Sequence, residues 1–571
     1  MKGSDFLQRL LKTHGIEKVF GVLGREAASI LFDKEHSQEF VLFRNELSAG
    51  TAAAAASRLT EKPQVCFSTL GPGVTHMMTA MATATQDRHP VLFISAQLET
   101  HAIDYNNAHQ CLDAVSVTKP LTKGSYEPRT IAELAVAVDR AFAAMAQYPF
   151  GPAFISLPID LLDEQVEQAE ADKWLKDSND WTPQYAAEDS TSSLAEAIEI
   201  ISSSRQPLII VGDAAVKTPK AAELLRPILE KLNIPVIATY AAKGILPFEH
   251  PLSLGAANPY LDVIFEGKIQ PAIFEEVDTI ILLGYDMTEH SPSTWKYGAS
   301  KKIVNINYFD NRTSKAFIPD VNVTGDLVNS LEVIAKSKAA QKTIPTALQQ
   351  ARQLIIDRVE HYMSEDAEQG ISVPRVFRVL NTAYGEYDYI VANDIGMHRH
   401  VTGTYFMPKE PHFYLTSAGL SSFGTGIGMA IGAALSRPDK QVVLIAGDGG
   451  FHSNSGDLET IVRKKLPIAI VLLNNNANGL IKRYQLTGDE RAQDRSATEF
   501  SDVDFVKLAE ANNMKGYHAA DFAELQKVFN ENKGNEPYLV EVPVHYPDLF
   551  INPYAKHWDG KKPDILSGLE A

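Results

Sequence analysis

The chain has 571 residues, with 53 Lys and Arg against 71 Asp and Glu and a formal charge of −18. Its length suits about three ordinary domains, and its acidity argues against nucleic acid or an anionic membrane surface as the main partner. Only Cys66 and Cys111 are present, which excludes a disulfide framework or zinc cluster. With a polar start at Met1-Lys-Gly-Ser-Asp-Phe6 and no membrane-length apolar run, a soluble cytoplasmic protein is expected.

From residue 4 to 165 helical and extended patterns alternate. Phe6, Leu7, Leu10 and Leu11 recur at helical spacing, Lys18-Val-Phe-Gly-Val-Leu23 reads as a strand, and an Ala-rich helix is predicted from about Leu47 to Leu59. Strands at Gln64–Ser68, Val91–Ser95 and Ala153–Leu157 extend this βαβ pattern. Residues Glu164 to Asp189, acidic and poor in aliphatics, read as a linker. A second α/β unit follows, with strands at Leu208–Gly212, Val236–Thr239, Thr279–Gly284 and Lys302–Ile306, then a polar helical connector. The last unit carries strands at Tyr389–Ala392, Val442–Ala446, Ile468–Leu473 and Tyr538–Val542. The expected fold is α/β, three consecutive open parallel-sheet, Rossmann-like domains over 1–165, 191–335 and 370–545.

Two strand ends carry the chemistry. Val442-Val-Leu-Ile-Ala stops at Gly447-Asp-Gly-Gly450, and Ile468-Ala-Ile-Val-Leu-Leu473 stops at Asn474-Asn-Asn476. Adjacent parallel strands would bring Asp448 and Asn475 together, two hard oxygen ligands of the kind Mg²⁺ takes beside phosphate oxygens. Glycines there let backbone approach a diphosphate. There is no Gly-x-x-x-x-Gly-Lys-[Ser/Thr] loop and no strand-linked Gly-x-Gly-x-x-Gly, so neither a P-loop nor a dinucleotide site is supported.

Other candidates lie at similar places. Glu46, in Phe43-Arg-Asn-Glu-Leu-Ser-Ala-Gly50, sits where a strand turns into the Ala-rich helix. Thr69-Leu-Gly-Pro-Gly-Val-Thr75 and Ser417-Ala-Gly-Leu-Ser-Ser-Phe-Gly424 are small-residue loops before helices. His109-Gln110 and Asp394-Ile-Gly-Met-His-Arg-His400 are polar clusters near strand ends, and in the second Arg399 with His398 and His400 could grip an anion. His452 is a weaker candidate of the same kind.

Gly-Asp-Gly followed by Asn-Asn resembles the signature of the thiamine diphosphate-dependent enzymes, and the resemblance covers nearly the whole chain. It implies thiamine diphosphate and Mg²⁺ as cofactors, the metal on Asp448, Asn475 and the backbone carbonyl of Ala477, and the diphosphate beside Gly447, Gly449 and Gly450. It implies that Glu46 hydrogen-bonds the aminopyrimidine, that Ser421 and Phe423 hold that ring, and that Gly73 belongs to the cofactor site. Asn45 stands where many members carry His. A site shared between two subunits is implied, hence a homo-oligomer, a dimer of dimers being expected. Leu208 to Asp213 shows no dinucleotide fingerprint, so no FAD is expected.

Within the acetolactate synthase-like group, several strings resemble the N2-(2-carboxyethyl)arginine synthase branch. They are Gly24-Arg-Glu-Ala-Ala-Ser-Ile-Leu-Phe-Asp33, His109-Gln-Cys-Leu-Asp113, Thr416-Ser-Ala-Gly419 with Ser421-Ser-Phe-Gly424, and Ala446-Gly-Asp-Gly-Gly-Phe-His-Ser-Asn-Ser455 with Asp457-Leu-Glu-Thr-Ile461. The resemblance implies a transferase joining a three-carbon unit from glyceraldehyde 3-phosphate to an amino acid's amino group. His109 and Gln110 would serve proton transfer and binding, Arg399 and His400 the phosphate, and Tyr260 and Asp286 the acceptor. Met397-His398 replaces two Phe of that branch, and the tail from Trp558 differs. The alternative is an acetolactate synthase or other 2-oxoacid decarboxylase–carboligase using pyruvate; a non-catalytic relative is the third reading.

Overall fold

The structure, a computed structural model, describes residues 1–25, 30, 38–104, 109–177, 181–184, 191–217, 219–256, 273–274, 276–289, 301–310, 318–337, 341–364, 371–482, 497–532 and 536–545. Tyr260 and the tail from 546 lie outside the described residues.

The first sheet contains β1 (Lys18–Gly21), β2 (Glu39–Leu42), β3 (Gln64–Ser68), β4 (Val91–Gln97), β5 (Ser125–Tyr126) and β6 (Ala153–Pro158), in the order β2-β1-β3-β4-β6-β5. All pairings are parallel, so each connection must cross over a sheet face. Helices α2 (Glu46–Thr60), α3 (Pro72–Gln86) and α4 (Ile131–Ala146) lie in such crossovers, and α1 (Gly3–Thr13) precedes β1. Strand β4 is buried along its whole length, and its alternation feeds two cores. Leu92 and Ile94 face Phe6, Leu10 and Val138, whereas Val91 and Phe93 face Ala49, Ala52 and Met77.

Residues 164–189 are not simply a linker. Helix α5 (Gln168–Asp177) lies within them, and Trp174 stacks at a tilt on Phe6 with ring centroids 5.5 Å apart. Ala171, Trp174 and Leu175, at i, i+3 and i+4, suffice to anchor it to the first domain despite the acidic surroundings.

The second sheet runs β12-β11-β10-β7-β8-β9, from β7 (Pro207–Val211), β8 (Val236–Ala238), β9 (Ser253–Ala256), β10 (Thr279–Leu283), β11 (Lys302–Asn307) and β12 (Val321–Thr324), with α6 (Pro219–Leu232) on one face. The polar connector is α7 (Thr346–Ser364), whose Leu348, Ala351, Ile355 and Val359 are buried.

The third sheet runs β13-β19-β17-β16-β14-β15, with β18 on β19. Its strands are β13 (Ile371–Ser372), β14 (Ile390–Asn393), β15 (Tyr414–Leu415), β16 (Val442–Gly447), β17 (Ile468–Asn474), β18 (Lys515–His518) and β19 (Tyr538–His545). Helices α8 (Val373–Tyr384), α9 (Met397–Tyr405), α10 (Gly426–Ser436) and the short α11 (Asp448–Ser453) connect them. Alternation again assigns the faces: Val443, Ile445 and Val471 share a core with Leu208 and Leu282 of the second sheet. Val442, Leu444, Ile468 and Ile470 share one with Phe93 and Ala52 of the first. At that junction α10 lies hard against α2: a Cβ on Gly432 would stand 2.8 Å from the Ala52 carbonyl carbon, and one on Gly428 3.0 Å from Ser48 Cα. Only glycine permits this approach.

Chain order reverses between β14 and β16, since β14 leads outward to β15 and β16 leads the other way to β17. Such a switch point leaves a crevice at the strands' carboxyl ends, where ligands bind in open α/β sheets.

Candidate functional site

Asp394 follows β14 and Asp448 follows β16, one on each side of that crevice. Asp394 is buried, and its carboxylate accepts N–H bonds from Ile395 at 2.7 Å and Gly424 at 2.9 Å. It thereby ties the small-residue loop to the strand end; Gly424 takes φ +81, a backbone that only glycine holds without strain. Burial raises the Asp394 carboxyl to about 6, against the lowering effect of those N–H bonds.

Asp448 opens α11 and is also buried; burial raises its carboxyl to about 6. Registering Gly447 with Leu473 sets Asn475 beside it. One terminal atom of the Asn475 amide lies 3.1 Å from Asp448 Oδ1 and 2.9 Å from the Ala477 carbonyl oxygen. With the amide oxygen there, three hard oxygens converge with no donor between them; with the amide turned over, its nitrogen donates to both. The all-oxygen arrangement fits a Mg²⁺ ion whose other positions go to diphosphate oxygens and water. Asn476 at φ +50 makes the sharp turn that brings the Ala477 carbonyl round. Among the described residues no cluster of three His, Cys, Asp or Glu forms a metal site.

His398, grouped with Arg399 on sequence grounds, faces elsewhere. A Cβ on Gly447 would lie 3.3 Å from its Cε1, and its Nε2 is buried without a partner. Burial lowers this imidazole to about 4, so at neutral pH it is an uncharged ring beside the diphosphate loop. Its role was illegible because a histidine at a helix start has no local mark that says which way it turns.

Arg399 reaches the cofactor loop instead, with Nη1 donating to Ser421 Oγ at 3.1 Å and the guanidinium 5.8 Å from the Tyr240 ring. It is 8% exposed, its Nε has no partner, and among the described residues no carboxylate lies within ion-pair distance. Asp87, half-buried nearby, feels its charge at longer range. His400 follows on α9, half-buried. Phe423 is 58% exposed, and Leu420, Ile481 and Phe500 are exposed too. That is an uncovered apolar rim around the crevice.

The first-domain candidates gather at their own strand ends. Glu46 is the first residue of α2, capped by Asn45, which accepts the Leu47 N–H at 2.7 Å. Gly73 lies in the first turn of α3. Gln110, at φ +60, closes on the same loop: a Cβ on Gly71 would lie 2.6 Å from its carbonyl oxygen, and His109 beside it is exposed. Asp286, after β10, accepts from Arg88 Nε at 3.1 Å, pairing the second domain with the first. Among the described residues no hydrogen bond or ion pair joins Glu46 to Asp448, Asn475 or the 417–424 loop.

Family models match along the chain in the same order as its sheets. The N-terminal thiamine pyrophosphate-binding domain covers residues 1–117, the central domain 194–334 and the C-terminal thiamine pyrophosphate-binding domain 394–542. The chain belongs to the thiamine pyrophosphate enzyme family. It is 28% identical to an acetolactate synthase of Bacillus subtilis (strain 168), over 96% of this chain and 94% of that one. It is 28% identical to a probable acetolactate synthase large subunit of Methanocaldococcus jannaschii, over 95% and 92%. A pyruvate oxidase of Lactiplantibacillus plantarum is 27% identical over 94% and 87%. This thiamine pyrophosphate enzyme is therefore acetolactate synthase-like, with three parallel-sheet α/β domains. Among the described residues no helix is long and apolar enough to cross a membrane.

Proposed function

We propose that this enzyme uses thiamine diphosphate and Mg²⁺ to move a three-carbon unit from glyceraldehyde 3-phosphate to the amino group of an amino acid. The observation that carries this reading is Arg399, a buried guanidinium beside the cofactor loop with no carboxylate partner among the described residues. A buried unpaired cation is costly unless a ligand supplies the anion. Held over a phosphate, it stabilises charge that grows as that group leaves; held over a carboxylate due to depart as neutral carbon dioxide, it would stabilise the ground state instead.

When bound, thiamine diphosphate supplies an electron sink for the donor's carbonyl carbon. Asp448, Asn475 and the Ala477 carbonyl would hold Mg²⁺; Gly447, Gly449, Gly450 and His398 would flank the diphosphate. Ser421, Phe423 and Gly73 would seat the aminopyrimidine, with Glu46 as its carboxylate partner. His109 and Gln110 would manage protons and the adduct oxygen, His400 would join Arg399 on the phosphate, and Tyr260 with Asp286 would face the amine. Glu46 and Asp448 lie on different domains without contact, and the apolar rim is open, which supports a homo-oligomer in which a second copy completes each site. The cytoplasm is the proposed location.

The relatives' names favour a second reading, an acetolactate synthase or other 2-oxoacid decarboxylase–carboligase in which Arg399 meets pyruvate. Incubating the enzyme with both cofactors, glyceraldehyde 3-phosphate and a pool of amino acids should yield carboxyethyl amino acids by mass spectrometry. Consumption of pyruvate alone, with carbon dioxide released, would establish the second reading and discard the first.

A further inference from the structure

Among the described residues Glu46 has one side-chain partner, and it comes from another helix. His76 Nδ1, one turn into α3, lies 3.2 Å from Glu46 Oε2. The Gly71-Pro72 turn starts α3 about one turn ahead of α2, and the two helices share one sheet face, where a Cβ on Gly50 would lie 2.5 Å from Ala80 Cβ and 2.9 Å from the Phe93 ring. The carboxylate side chain is 10% exposed and the imidazole 61%. An ionised carboxylate only accepts, so Nδ1 carries the hydrogen in this contact. Oε1 makes no hydrogen bond among the described residues. Cys66 of β3 lies beneath, its thiol pushed far up by burial and then by the Glu46 charge, so it adds no second anion.

We propose that His76 is a positioning residue for Glu46. It ties down one carboxylate oxygen so that the other is presented to the coenzyme's aminopyrimidine. The inference rests on the role given to Glu46 in the proposed function.

Two measurements test it. In the protein without coenzyme, a double-mutant cycle of Glu46→Gln and His76→Ala, read by melting temperature, should show the two changes to be non-additive; strictly additive effects overturn the pairing. With thiamine diphosphate and Mg²⁺ added, exchange of the thiazolium proton, followed by quenched-flow NMR, should slow at least about tenfold in His76→Ala while coenzyme affinity stays within about threefold. His76→Gln, which keeps a donor, should recover most of the rate. If Glu46→Gln leaves that exchange untouched, the role of Glu46 fails and the inference with it. If Glu46→Gln slows it but His76→Ala does not, only the role of His76 falls. Loss of coenzyme affinity in both His76 variants, in step with lower melting temperature, would make the residue merely structural and also overturn the proposal.

Discussion

Asp87 and Gly419 are joined by one hydrogen bond of 2.6 Å, the Gly419 N–H donating to Asp87 Oδ1. Through it the turn after α3 in the first domain holds the third-domain loop that carries Ser421 and Phe423. The next residue, Arg88, pairs with Asp286 of the second domain, and Lys217 donates to the Asp87 carbonyl at 2.6 Å. One turn therefore bolts all three domains beside the crevice. Asp87→Ala would remove the acceptor of a part-buried N–H, at a cost of about 1 kcal/mol. Thiamine diphosphate affinity, measured by fluorescence titration, should weaken by about tenfold or more, because the loop loses its tether.

Asp448→Ala removes one of the three converging oxygens. In a titration with thiamine diphosphate held constant, Mg²⁺ affinity should fall by about 100-fold. Chelating Mg²⁺ from the unaltered enzyme should release the coenzyme, with no comparable loss in Asp448→Ala, which has little metal to lose.

Arg399→Met should act in opposite directions on stability and activity. Replacing a buried cation that has no carboxylate partner among the described residues relieves its desolvation, so the melting temperature should hold or rise by a few degrees, about 1 kcal/mol. kcat/KM for the phosphorylated donor should fall by about 100-fold or more. Arg399→Lys should not restore it, since a point charge lacks the planar fork.

Glu289 gives the enzyme a stability term that fades towards alkaline pH. Burial raises its carboxyl to about 8, helped by the charges of Asp213 and Asp286. Between its unfolded value and about 8 the folded state holds a proton that the unfolded state has lost. The contribution is complete at acid pH and disappears as pH rises through the folded value. Glu289→Gln removes this dependence, so thermal melts of variant and parent should be closest near pH 5 and diverge in favour of the variant, by a few degrees or about 1 kcal/mol, near pH 8.

The sheets were readable because each central strand is an apolar run closed by a turn residue. Val442 to Gly447 and Ile468 to Asn474 are observed within a residue of their predicted limits. Strands of two residues, such as β13 and β15, are too short for any period to register. The helix at Gln168–Asp177 was hidden by its acidic surroundings.

The sequence by itself determined that Asp448 and Asn475 would be neighbours, because parallel strands side by side bring their carboxyl ends to one place whatever else the chain does. Only the tertiary structure decided that His76 meets Glu46, that His398 turns to Gly447 while Arg399 reaches Ser421, and that Asp87 grips Gly419 from 332 residues away. Those relations depend on which helix faces land on which sheet. Local periodicity specifies that a face is buried but not what it is buried against.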